Sequence, residues 1–319
     1  MVESGGLDEE LRGAVARRVV RRCAIICGGM LLAVLAAGAG VFALAAASPT
    51  NPLAHTVGSW EFASEQARAD LEAAYHSGGW LSAWWQWLIT AVTTGDLGYS
   101  RILHAPVAEI VASRGLNTIA ASVCAAAITV IVVGAVAIAL ARFPGLAQSS
   151  SASGVLGAWL AVPSFLIALI IVVVWGASLP NPATSAPITL TPGVAITIAL
   201  AWAAPLIAAA RSAAAEVWST PWARALIGRG FGHSARIRTV LPTVLGAVRS
   251  PALVYLPTIV LGEAAVEAVL AYPGLGNALV QAAAGADLPL LATVTSIAAG
   301  MTTGLVLLVH TATARGDRS

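Results

Sequence analysis

Glu263 and Glu267 stand four residues apart in an otherwise apolar run, within GEAAVEAVLAYPGLGNALVQAAAGADLPLL, residues 262 to 291. On a helix that spacing puts both carboxylates on one face. Ionisable groups at membrane depth are costly, so they face protein, water or a substrate path. Taken alone, the pair fits a proton relay or a cation site. Glu267 equally fits a carboxylate that holds the turn after it by accepting backbone N–H groups.

Other reactive side chains offer less. Cys23 and Cys27 share a helical face, but Cys124 is the only further thiol and no histidine lies near, so they read as small packing residues and no metal site is expected. Ser153 and His310 could be drawn as a serine–histidine pair, yet the serine lies at a membrane edge without the motif of an intramembrane protease. All seventeen basic residues are arginine. A phosphate-binding P-loop and a Schiff base both require lysine, so any nucleotide-driven work belongs to another chain. A net charge of +2 leaves no electrostatic footprint for nucleic acid. The chain is expected to be no enzyme and to carry no cofactor of its own.

A mean hydropathy of +0.84 with 10% charged residues makes this an integral membrane protein. Residues 1 to 18 read as a cytoplasmic tail, and 19 to 47 as a first span rather than a signal peptide, because the apolar run from Cys23 to Ala47 is too long for one. Residues 48 to 115 form an external loop in which SEQARADLEAAY is helix-like. Trp80, Trp84 and Trp87 make a stripe suited to interfacial anchoring, with base or sugar stacking as the rival. Further spans are expected at 116–141, 154–175, 193–210, 252–270 and 288–310, followed by a tail at 311–319. Pro163-Ser164 breaks the third span, where a kink can line a pathway or pack against neighbours. Leu179 to Gly193 is a short outer connection. Fourteen arginines fall on the side assigned as cytoplasm and only Arg68, Arg101 and Arg114 on the other, as the positive-inside rule requires.

The loop at 211–250 organises the rest. Between Arg211 and Gly246 it carries Arg211, Arg224, Arg229, Arg236 and Arg238, with Glu216 as the only acid. Thr220 reads as an N-cap and Pro221 as the first helical residue, with Gly228 and Gly230 available to end the helix. A second short helix is expected from about Ser234.

WARALIGRGFG followed by RIRTVLP resembles the cytoplasmic loop of bacterial ABC importer permeases, which seats in a cleft of the ATP-hydrolysing subunit. In that resemblance Pro221, Trp222, Ala223, Arg224, Ala225, Leu226, Ile227, Gly228, Arg229 and Gly230 form the coupling element, Gly230 being the loop's characteristic glycine. Arg224-Ala225-Leu226 stands where many members have Glu-Ala-Ala, and an arginine there is usual in the peptide branch. The external segment Gly95-Asp96-Leu97-Gly98 is similar to that of the first, B-type, permease of dipeptide, oligopeptide and nickel importers. Glu267, Tyr272-Pro273-Gly274-Leu275-Gly276 and Asp287-x-Pro289 match the family's fifth helix, its external re-entrant turn and the entry to the sixth. Glu263 departs from the pattern, which has a small residue there; on the pathway it would favour cationic groups.

The resemblance spans roughly residues 17 to 310. It implies an all-α fold, six transmembrane helices forming an ABC type I importer permease core in a bacterial inner membrane, with both termini cytoplasmic. It also implies a paralogous permease as heterodimer partner, two ATPase subunits holding ATP and Mg²⁺, and an extracytoplasmic solute-binding protein, with peptides the first choice of substrate. Pro163, Ser164, Glu263 and Glu267 are the expected pathway residues. The alternative, an ungated channel or membrane scaffold without an ATPase partner, gives no reason for the arginine-rich loop.

Overall fold

A computed structural model describes residues 3–48, 79–175, 187–255 and 264–313. The helix-like stretch after Ser64, most of the outer connection after Leu179, Glu263 and the end of the C-terminal tail lie outside those residues. The described chain is almost wholly helical and divides into two compact units.

The first unit comprises Met1–Glu109 and Ala282–Ser319. Helix α1 runs unbroken over Glu3–Ala47, so the polar residues expected as a separate tail continue the first span as helix. Its apolar part, Val20–Ala47, is long enough to cross a membrane. Helix α12, Leu288–Thr313, packs along it. Small residues set that approach: a Cβ on Gly300 would lie 2.7 Å from Val34, and one on Gly304 2.7 Å from the Met30 sulfur. Helix α2, Gly79–Thr93, also lies on α1. Trp87 meets Phe42 at 6.0 Å between ring centroids, and Trp84 and Trp87 surround Gly38. Two members of the tryptophan stripe thus serve packing within the unit, while Trp80 and Trp85 are exposed. A two-residue hairpin, β1 Tyr99–Ser100 with β2 Ala105–Pro106, follows.

The second unit is Ile110–Gln281. Helix α3, Val107–Arg142, begins nine residues before the span expected at 116, with Glu109 in its first turn to complement the helix dipole. After α4, Pro144–Gln148, come α5, Ser150–Leu160, and α6, Ser164–Trp175. These two halves of the expected third span meet at 89°, far sharper than a kink. Helix α7, Pro187–Ser219, extends beyond the expected 193–210 at both ends, because no breaker intervenes between Arg211 and Ser219. Helices α8, Pro221–Gly228, α9, His233–Tyr255, α10, Ala264–Val269, and α11, Leu275–Ala284, complete the order. The core has two parts, one around Trp218, Val240 and Val244, the other around Ile198, Trp202, Val266 and Tyr272. Among the described residues four helices are long and apolar enough to cross a membrane, or five if the bent pair is one span. The remaining span expected, 252–270, includes residues 256–263, which are outside the described part.

Candidate functional site

The arginine-rich element forms as its local signals dictate. The Thr220 hydroxyl accepts the Ala223 N–H at 3.4 Å and Pro221 occupies the first turn of α8. At the far end Gly230 adopts φ +73°, its N–H donates to the Ile227 carbonyl at 3.0 Å, and the Phe231 N–H reaches back to Leu226 at 3.0 Å. This is the paired-bond closure that a left-handed residue permits at a helix end. Of the two glycines available, Gly230 does this work. Ala223 is fully buried in the core of the second unit, and it seats the helix. Trp222, Ile227 and Phe231 stay exposed, as do Arg224, Ala225 and Arg229.

The segment after α8 differs from expectation. In place of a second short helix, α9 runs for 23 residues. The result is one short, outward-facing helix between two long ones. A connection invisible in the sequence braces it. The guanidinium of Arg211 donates to the Ser149 carbonyl at 2.6 Å, Phe143 lies 5.8 Å from the His233 ring, and Arg142 sits 5.0 Å over Phe143.

At the other polar cluster of the second unit, Glu267 is fully buried. One carboxylate oxygen accepts the Thr118 hydroxyl at 2.8 Å and the other accepts the Asn277 N–H at 3.1 Å. Thr118 in turn accepts the Leu275 N–H at 2.8 Å. Asn117 donates to the Pro273 carbonyl at 2.9 Å, the Tyr272 hydroxyl returns a bond to the Asn117 carbonyl at 2.9 Å, and the Asn277 amide donates to Tyr272 at 2.8 Å. A Cβ on Gly274 would collide with the Glu267 carboxylate. Glu267 therefore joins Pro273, Gly274 and Gly276 in a knot that ties the turn to the start of the second span. Of the two roles its sequence left open, this geometry fits the turn-holding one. Asn117 and Thr118 register in the sequence only as the opening of a span. Arg114, one turn earlier, attracts Glu267 electrostatically, and one of its terminal nitrogens is buried with no hydrogen-bond partner among the described residues.

The first unit contains a parallel device. Asp287 is almost fully buried; it accepts the Ser100 hydroxyl at 2.7 Å and the Ile102 N–H at 3.4 Å, and caps α12 through the Leu290 N–H at 3.4 Å. Gly98, at φ +94°, lies where a Cβ would be 2.9 Å from Pro289. Asp96 holds the turn by accepting the Gly98 N–H at 2.8 Å, and the Leu97 carbonyl accepts the Trp87 indole N–H at 3.2 Å. The structure thus joins Gly95–Gly98 to Asp287, two motifs nearly 190 residues apart.

Pro163 is exposed at the bend, and Ser164 lines a cavity of about 250 Å³ with Trp159, Ile167, Ala201 and Pro205. Glu263 lies outside the described residues.

Residues 135–318 match the family model described as the inner membrane component of binding-protein-dependent transport systems, which covers more than half of the chain. No curated protein matches the chain. The match takes in the bent pair, α8, Glu267 with the turn it holds and Asp287, and leaves out Asn117, Thr118 and Gly95–Gly98.

Proposed function

The chain belongs to the inner-membrane components of binding-protein-dependent ABC transport systems, and from that premise we propose that it is the first, B-type, permease of a dipeptide, oligopeptide or nickel importer. The family makes it a multi-pass membrane permease that works with ATPase and solute-binding partners. Beyond this, we assign it six spans with both termini cytoplasmic, a paralogous permease as companion, and peptides as cargo. Peptide cargo is supported by Arg224 in the coupling helix and by the Gly-Asp-Leu-Gly segment clasped to Asp287.

The observation that carries this reading is α8. A rigidly closed short helix, anchored by Ala223 and presenting Trp222, Arg224, Ile227 and Arg229, is shaped to seat in another protein. ATP and Mg²⁺ are bound by the ATPase subunits. Their closure carries α8 along and rocks the helix bundles between inward and outward access, and hydrolysis resets them. ATP can shift that equilibrium only by binding one state better than the other, so α8 must transmit the difference through packing.

Gly230→Asp tests the assignment. A side chain at φ +73° strains the closure of α8. The variant should insert and assemble normally while ATP-driven uptake falls at least tenfold in proteoliposomes, ~1.4 kcal/mol in coupling. Undiminished uptake would remove α8 from this role. For Glu263, Glu263→Gln should relax any preference for cationic cargo, and unchanged selectivity would take it off the pathway.

A further inference from the structure

One proline inside a helix borders the cavity at the bend, and a second stands in the break between the two helices of the corner. Pro163 opens the corner between α5 and α6, and Pro205 lies inside α7. Proline has no N–H, so the Ala201 carbonyl, four residues before Pro205, loses its helical donor. Positions 201 and 205 share a helix face and both line the cavity, so the turn that loses this bond is the one that faces it. Ser164 adds a hydroxyl; apart from the Trp159 indole the other lining side chains are apolar. A carbonyl released at membrane depth demands a donor from a neighbour, a water or a ligand. Carbonyls freed by broken helices are acceptors for cationic groups in transporters at large.

We propose that this cavity is an acceptor station on the translocation path, at which the Ala201 carbonyl and the Ser164 hydroxyl take an ammonium-type group of the passing substrate. The inference rests on the permease reading and adds to it a sign: the station admits cations and disfavours anions.

The test uses the whole transporter in nanodiscs, purified through this chain, with Cys23, Cys27 and Cys124 replaced by serine and Ile167→Cys, which leaves both acceptors in place, as reporter. Copurification of the ATPase is scored first with the unaltered chain, and its absence would refute the permease reading itself. In the assembled complex, rates are measured with 2-(trimethylammonium)ethyl and 2-sulfonatoethyl methanethiosulfonate, each normalised to a free small thiol. The cationic reagent should react about tenfold faster, ~1.4 kcal/mol of preference. Adding Pro205→Ala, which restores an N–H for Ala201, should bring the ratio close to one. Equal rates before that change, or reaction only with lipid-soluble N-ethylmaleimide, would overturn the station while leaving the permease reading intact. Should Ile167→Cys fail to assemble, Leu160→Cys reports from the same wall.

Discussion

Glu267 and Thr118 act as a pair although 149 positions separate them. Thr118 donates to the carboxylate and accepts from Leu275, so a hydroxyl is the smallest group that meets both demands. Thr118→Val keeps the shape but strands an acceptor and an N–H inside the protein, at about 1–3 kcal/mol for each group left unsatisfied. Thr118→Ser retains both bonds. The expected outcome is a thermal unfolding midpoint in detergent lowered by Thr118→Val and nearly kept by Thr118→Ser. An unchanged midpoint with valine, accompanied by altered cargo selectivity, would return Glu267 to the pathway. In the sequence Glu267 was conspicuous because it is a charge among apolar residues. Its partner was not, because a threonine in a span carries no signal of what it faces.

The elements differ in how far they could be read in advance, and the difference follows from range. Helix α8 was legible residue by residue, since Thr220, Pro221 and Gly230 act within a turn of themselves. The true lengths of α3, α7 and α9 were not, because their ends depend on partners such as the Trp218 indole, which donates to the Leu140 carbonyl at 3.0 Å. The turn before Asp287 adds a case of strain. Ala286 sits at φ +51°, and the Asp287 N–H bonds to the Ala282 carbonyl at 2.9 Å. A left-handed alanine costs roughly 1–2 kcal/mol that glycine avoids, so Ala286→Gly should raise the unfolding midpoint; a lower midpoint would mean that flexibility in the unfolded chain outweighs the strain. The packing of α1 on α12 gives the opposite sign. Gly304→Leu drives a side chain into Met30, and overpacking of this kind costs about 1–3 kcal/mol. Its midpoint should fall, and Met30→Ala should recover part of the loss by opening space. Failure of that rescue would show that Gly304 matters for some reason other than its approach to Met30.

For the whole molecule, composition reached further than any motif. The expected span order would put fourteen arginines on one side against three on the other, an argument about orientation that needs no structure. The motifs then placed the family, and the structure supplied what neither held: the right-angled break at Pro163-Ser164 and the two carboxylate clasps, of Asp287 on the turn after α2 and of Glu267 on the turn after α10. Orientation is open to direct measurement. In a cysteine-free chain, Arg12→Cys and Ser234→Cys should react with an impermeant maleimide only in inside-out vesicles, and Thr94→Cys only from the opposite face. Ser234 follows α8 and Thr94 follows α2, and both are exposed, so accessibility within the protein does not confound the assay. Labelling of Ser234→Cys from the outside would leave α8 where no ATPase could reach it. Labelling of Arg12→Cys and Ser234→Cys on opposite faces would require an odd number of crossings between them, in place of the four that the expected span order demands. The bent pair α5–α6 would then be the natural segment to reassign, as a re-entrant loop and not a span, since its 89° turn allows both ends to return to one side.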